Sequence, residues 1–203
     1  MRRLLRDLAL VSFHLLVVRP VLRWLVGVRF RRRGLLPAGP CLVVSNHNSH
    51  LDAPILMSMF PLARLRRVHP VAAADYFGQS WLRRTMAMLL MNGIAIERHA
   101  RSGQDPLAPV AEALREGQTL ILFPEGSRGE AGVIAPFRPG VGRLAQLLPG
   151  LVVVPVHLTG PERIWPRGRV VPVPFNIDVF VGKPRSYDPA LEAREIAEQV
   201  QRD

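Results

Sequence analysis

The chain has 203 residues, 48% of them hydrophobic, enough for one core-bearing domain and too apolar for a disordered chain. Its net charge of +11 rests on arginine, since Lys183 is the sole lysine, and points to an anionic partner: nucleic acid, an anionic membrane surface or a phosphorylated substrate. Aromatics are only 6%, and no basic repeat interleaves with them, which argues against a nucleic-acid partner. The single Cys41 excludes an internal disulfide and a CxxC metal site, and its apolar neighbours make it a core residue.

The N-terminus poses the membrane question. Leu4, Leu8, Val11, Leu15 and Val18 fall at helical spacing. The apolar run of residues 8–18 is far short of the roughly 20 residues that span a bilayer. Pro20 is expected to end this helix, and a second piece, Val21–Val28, carries Arg23 and Trp24. Arg2, Arg3, Arg6, Arg19, Arg23, Arg29, Arg31, Arg32 and Arg33 face a single acid, Asp7, before residue 34. Residues 1–33 therefore read as an interfacial helical hairpin, with apolar faces in lipid, arginines on headgroups and Trp24 at the boundary. The competing readings are two buried helices and a signal peptide, although no small-residue cleavage site follows.

The remainder, residues 34–203, reads as one domain. Ahead of it Val28–Arg33 is a first strand, and Cys41–Ser45 is a second. Pro54–Met59 is helical, with Asp52 placed to cap it. Arg67–Ala73 is a strand, Gln79–Met91 an amphipathic helix, Gly93–Glu97 a short strand and Asp105–Glu116 a helix. Thr119–Phe123 is a strand that leads into the polar loop Pro124–Pro139. Val141–Leu148 is helical, Leu151–Leu158 and Phe175–Val181 are strands, and Pro189–Val200 is a closing helix. Strands alternating with helices imply an α/β fold: a mixed, largely parallel β-sheet flanked by helices.

Four stretches carry chemistry. The first is Asn46-His47-Asn48-Ser49-His50-Leu51-Asp52, between a strand and a helix. A histidine is the natural base for a hydroxyl near neutral pH, and a carboxylate on its other ring nitrogen fixes the tautomer. A five-residue offset turns the two side chains about 140° apart on one helix, so His47 and Asp52 meet only across a turn. The plainer reading makes Asp52 a helix cap and His47 a turn residue. The second stretch is Phe123-Pro124-Glu125-Gly126-Ser127-Arg128-Gly129, at a strand's carboxyl end, where α/β folds bind ligands. Arg128 suits a phosphate, Glu125 a hydroxyl, and the glycines permit close backbone approach; a surface turn is the alternative. The third, Gly93-Ile94-Ala95-Ile96-Glu97-Arg98, ends a strand in a charged pair. The fourth, Val152-Val153-Val154-Pro155-Val156, has an internal proline, which implies an edge strand or a bulge, and either lines an acyl groove or packs in the core.

Taken in chain order, the four stretches resemble the motifs of the glycerolipid acyltransferase family, which contains the bacterial 1-acyl-glycerol-3-phosphate acyltransferases. Asn46, His47, Ser49 and Asp52 match its Asn-His-x-Ser-x-x-Asp motif. Gly93 through Arg98 resemble its second motif, with Glu97 in place of the usual Asp. Phe123 through Arg128 match the third, and Pro155 with its flanking valines the fourth. The resemblance implies an acyltransferase domain over 34–203 in which His47 is the base and Asp52 holds it. Arg98 and Arg128 would bind the acceptor phosphate, Glu125, Gly126 and Ser127 would shape the acceptor site, and Val154 and Pro155 would line the acyl groove. The acceptor would be a lysophospholipid, by default 1-acyl-glycerol-3-phosphate giving phosphatidic acid, with a lyso-ornithine lipid as runner-up. The donor would be acyl-CoA or acyl-carrier protein, used as a substrate, with no metal or bound cofactor. Thioester donors place the enzyme on the cytoplasmic face of the cell membrane. A non-catalytic protein of the membrane surface on the same scaffold is the alternative.

Overall fold

The computed structural model describes residues 2–73, 91–96, 105–127, 132–161 and 176–203. The expected helix Gln79–Met91 lies, apart from Met91, outside the described residues, as do Glu97, Arg98, Arg128 and Gly129.

Seven strands form one sheet in the order β1-β7-β6-β2-β5-β3-β4. They are β1 (Val28–Arg31), β2 (Leu42–Ser45), β3 (Val68–Ala73), β4 (Ile94–Ile96), β5 (Thr119–Leu122), β6 (Val153–Thr159) and β7 (Ile177–Val181). Every neighbouring pair is parallel except β6 with β7, so β1 and β7 run against the other five. The expected mixed, largely parallel α/β sheet is what forms.

Both faces of the sheet are covered, which is why the central strands are apolar on both sides. Side chains alternate across the pleat. Val43, Ile121, Val154 and Val156 enter one core with Leu10, Val18, Leu22, Ile55 and Leu56. Leu42, Val44, Leu120, Leu122 and Val153 enter a second core with helices α3 (Ala108–Arg115), α4 (Gly140–Leu147) and α5 (Ala193–Arg202).

Proline 155 corrects the edge-strand alternative. It lies inside β6, between β7 and β2. Arg185 exchanges backbone hydrogen bonds with Val153, while Val181 pairs with Val156. Three residue steps on β6 thus oppose four on its partner. The extra residue bulges out opposite the position where proline has no N–H to give.

The N-terminus is also corrected. Instead of a hairpin broken at Pro20, residues 2–25 form one continuous helix: α1 (Arg2–Phe13), then π-helical turns over His14–Val18 and Val21–Leu25 around Arg19 and Pro20. The buried positions explain the π turns. Leu10, His14, Val18, Leu22 and Val26 are buried at a strict four-residue spacing. In an ideal α-helix each four-residue step overshoots a full turn by about 40°, so this stripe would rotate off the sheet. The wider π turns wind it back and also absorb the backbone disruption at proline. The opposite face is bare: Leu4, Leu5, Leu8, Leu15, Leu16, Val17 and Trp24 are exposed, Trp24 to 79%. Among the described residues no helix is long and apolar enough to cross a membrane.

Helix α2 (Asp52–Ser58) is held at its far end by two arginines. Arg19 donates to the Phe60 carbonyl at 2.6 Å, and Arg33 to those of Met59 and Ser58 at 2.5 and 3.4 Å. Cations suit the negative end of a helix. Burial, together with the neighbouring Arg33, lowers the Arg19 pKa from its ordinary value.

Helix α4 is fixed against α5 at Gly142. A Cβ there would sit 1.9 Å from the Ala193 carbonyl oxygen, which is backbone and cannot swing away. Alanine normally gains about 1 kcal/mol over glycine inside a helix. The clash outweighs that gain, so Gly142→Ala is expected to cost a net 1–3 kcal/mol, on the order of overpacking penalties, read as a lowered midpoint in denaturant unfolding. An unchanged or raised midpoint would contradict this packing.

Candidate active site

Strands β2 and β5 are far apart in the chain but adjacent and parallel in the sheet, with Val44 opposite Leu122. They end at the same edge, so the segments that follow them emerge side by side. This puts His47 next to Phe123 and Glu125. Ring centroids of His47 and Phe123 are 4.2 Å apart with planes at 22°, a stacked pair. Glu125 is buried; its Oε1 accepts the His47 backbone N–H at 2.7 Å and its Oε2 accepts that of Ala135 at 3.0 Å. Glu125 therefore ties the histidine loop to the segment after residue 131, and both of its oxygens are engaged by backbone.

The His47–Asp52 pair is assembled across the turn. Asp52 is fully buried. Its Oδ2 lies 2.8 Å from His47 Nδ1, and the backbone N–H groups of Asn48 and Ser49 donate to the same oxygen at 2.7 and 2.8 Å. A backbone N–H can only donate, so Oδ2 is an acceptor and His47 Nδ1 carries the hydrogen. Nε2, on the far side of the ring, keeps the lone pair of a base. The helix-cap reading is corrected: Leu51 is the N-cap, no side chain caps α2, and the Asp52 carboxylate turns back onto residues 47–49. Asn46 completes the frame. Its side-chain Nδ2 donates to the Leu158 carbonyl at 2.9 Å and its Oδ1 accepts the Leu158 N–H at 2.8 Å, extending the β2–β6 pairing by one side-chain rung.

A cavity of about 550 Å³ opens beside this pair. His47, His50, Gly126 and Ser127 border it. Its apolar lining comes from β3, β4, β5 and α4, through Val71, Ala73, Ile96, Leu122 and Val141, together with Leu107 just before α3. Arg138 and Arg143 also border it, and sequence reasoning missed both. Phe123 and Asn46 belong to the quoted motifs, but their roles as ring platform and backbone splint depend on the sheet order.

Val154 and Pro155 were expected at the acyl groove and do not border this cavity. Val154 is fully buried in the core shared with α2, and Pro155 borders a separate cavity of about 570 Å³ with Arg31, Arg32 and Phe180. Alternation along β6 sends Val154 to the opposite face of the sheet from the cavity's apolar lining. Burial pushes the Cys41 thiol up to about 11, so its thiolate is not a nucleophile near neutrality.

Residues 27–159 match the Acyltransferase family. A 1-acyl-sn-glycerol-3-phosphate acyltransferase from Pseudomonas aeruginosa is 32% identical over 186 residues, covering 89% of this chain and 68% of that protein. A chloroplastic enzyme of the same name from Brassica napus is 32% identical over 64% of this chain and 36% of its own length. In fold, the chain is similar to a 1-acyl-sn-glycerophosphate acyltransferase from Thermotoga maritima, with a TM-score of 0.71 at 24% identity, covering 94% of this chain and 76% of that one. A matching family over most of the sheet and a His47–Asp52 pair beside an apolar cavity lead to one conclusion: the chain belongs to the Acyltransferase family and is an enzyme of that class.

Proposed function

We propose that this acyltransferase moves a fatty acyl group from a thioester, acyl-CoA or acyl-carrier protein, to the free hydroxyl of 1-acyl-glycerol-3-phosphate, giving phosphatidic acid. The observation that carries the reading is the 2.8 Å contact between His47 Nδ1 and Asp52 Oδ2 at the rim of an apolar cavity. His47 Nε2 takes the proton from the acceptor hydroxyl as its oxygen attacks the thioester carbonyl. The tetrahedral intermediate collapses, the C–S bond breaks, and the departing sulfur takes the proton back from His47. An ester and a free thiol result. The apolar lining suits an acyl chain. Glu125, Gly126 and Ser127 shape the acceptor side, and Arg98 and Arg128 are proposed to hold the acceptor phosphate. The names of the bacterial and plant relatives favour this acceptor over a lyso-ornithine lipid.

We further propose a monotopic seat on the cytoplasmic face of a membrane, where thioester donors and anionic lipids are both present. The support is the bare apolar face of the 2–25 helix beside Arg6 and Arg23. The domain division at residue 33 belongs to the same proposal, with the exposed apolar face of the 2–25 helix serving the membrane and β1, within the same span, joining it to the sheet.

His47→Ala and Asp52→Asn are each expected to lower acyl transfer roughly 10²–10⁴-fold, assayed with acyl-CoA and 1-acyl-glycerol-3-phosphate, while the His47→Ala protein still folds, with a midpoint lowered by the loss of one partner of the buried carboxylate. Wild-type turnover by folded His47→Ala protein would refute the assignment. In vesicle sedimentation with phosphatidylglycerol, the combined change of Leu15, Leu16 and Trp24 to Ser should weaken binding at least about tenfold, since each apolar insertion contributes about 1 kcal/mol or more. Unaltered sedimentation would contradict the membrane seat.

A further inference from the structure

Arg138 lies outside the motifs and the catalytic pair, yet its placement is tightly specified. Its backbone N–H donates to the Pro124 carbonyl at 3.0 Å, so the segment that carries it folds back along the Phe123–Ser127 turn. Its guanidinium then lies across Gly126. A Cβ on Gly126 would come within 2.7 Å of Arg138 Nε and 2.9 Å of Cζ. Gly126 also has φ +77°, the left-handed region. The glycine thus serves two needs at once: the turn's backbone and the space that Arg138 fills. Arg143, the fourth residue of α4, borders the same cavity and sits 3.6 Å from Asp105. The cavity lining is otherwise largely apolar, so the Arg138 guanidinium over Gly126, with Arg143 also at the border, offers charge to the polar end of an amphipathic ligand.

We propose that Arg138, with Arg143 beside it, forms an anion subsite that binds a phosphate ester of a substrate and fixes which substrates reach His47. The planar guanidinium matches a phosphate with two parallel N–H donors. Both substrates of the proposed reaction bring such a group: the acceptor's phosphomonoester, or the phosphodiester of the phosphopantetheine arm of the donor. The inference rests on the acyl-transfer reading for the identity of these ligands and on the geometry alone for the anion.

The test uses the full chain and Arg138→Gln, with Arg138→Lys as the conservative variant. Binding of glycerol 3-phosphate and of coenzyme A is measured by calorimetry. Acyl transfer is measured with 1-acyl-glycerol-3-phosphate against a phosphate-free monoacylglycerol, and with acyl-CoA against a short acyl thioester that lacks phosphates. Loss of one bidentate charged contact should raise a Kd and the matching KM roughly tenfold or more, with kcat changed less than about threefold. A rise confined to the phosphate-bearing acceptor assigns the subsite to the lipid headgroup, and one confined to acyl-CoA assigns it to the donor. Partial recovery in Arg138→Lys supports a charge-binding role over a packing role. If Arg138→Gln folds and leaves both Kd values and both KM values unchanged, or loses activity equally on phosphate-free substrates, the subsite is refuted. A wild-type protein that binds phosphate through Arg138 yet transfers no acyl group would overturn the proposed reaction and leave the subsite standing. Should Arg138→Gln unfold, Gly126→Ala, which displaces the guanidinium, must raise the same Kd, and an unchanged Kd there refutes the subsite.

Discussion

One carboxylate oxygen organises the centre of this enzyme. Asp52 Oδ2 gathers three N–H groups, two from backbone and one from the His47 ring, at 2.7–2.8 Å. A buried carboxylate is costly unless its hydrogen bonds are made, and here the donors come from the loop that carries His47. Folding the turn and fixing the imidazole tautomer are therefore the same event. The loop cannot relax without uncovering the carboxylate, and the ring cannot flip without depriving the carboxylate of one of its three partners.

The scaffold holds both ends of that arrangement. On the loop side, Asn46 splints β2 to β6, Phe123 stacks on the ring, and Glu125 grips the His47 backbone N–H. On the other side, α2 begins at Asp52 and ends in carbonyls that accept from Arg19 and Arg33. Arg19 belongs to the continuous N-terminal helix, whose buried stripe packs on the same core as α2. The element with a bare apolar face and the element that carries the Asp52 carboxylate thus share a hydrogen-bonded junction. Two of the many arginines behind the net charge do local work there as helix-end cations.

Much of this was legible in the residues. Alternating apolar and helical segments implied the sheet, and the ends of most elements fell within a few residues of those expected. The offset of His47 and Asp52 required a turn between them, and a turn is present. What was hidden depended on long-range pairing. The adjacency of β2 and β5, which brings Phe123 and Glu125 to His47, follows from sheet order and not from any local pattern. Pro155 leaves an edge strand and a bulge both open, because the bulge that settles it lies some thirty residues away, at 181–185. Pro20 read as a helix stop because local propensity does not register a π turn imposed by the burial of Leu10, His14, Val18 and Leu22. Arg138 was one arginine among many until the fold laid it over Gly126.

Nitrogen NMR of the uniformly labelled protein reads directly which ring nitrogen of His47 carries the hydrogen. His47 is expected to hold it on Nδ1 and leave Nε2 bare, and Asp52→Asn to abolish this preference. A His47 ring with its hydrogen on Nε2 in the wild-type protein, or the same tautomer in Asp52→Asn, would contradict this assignment.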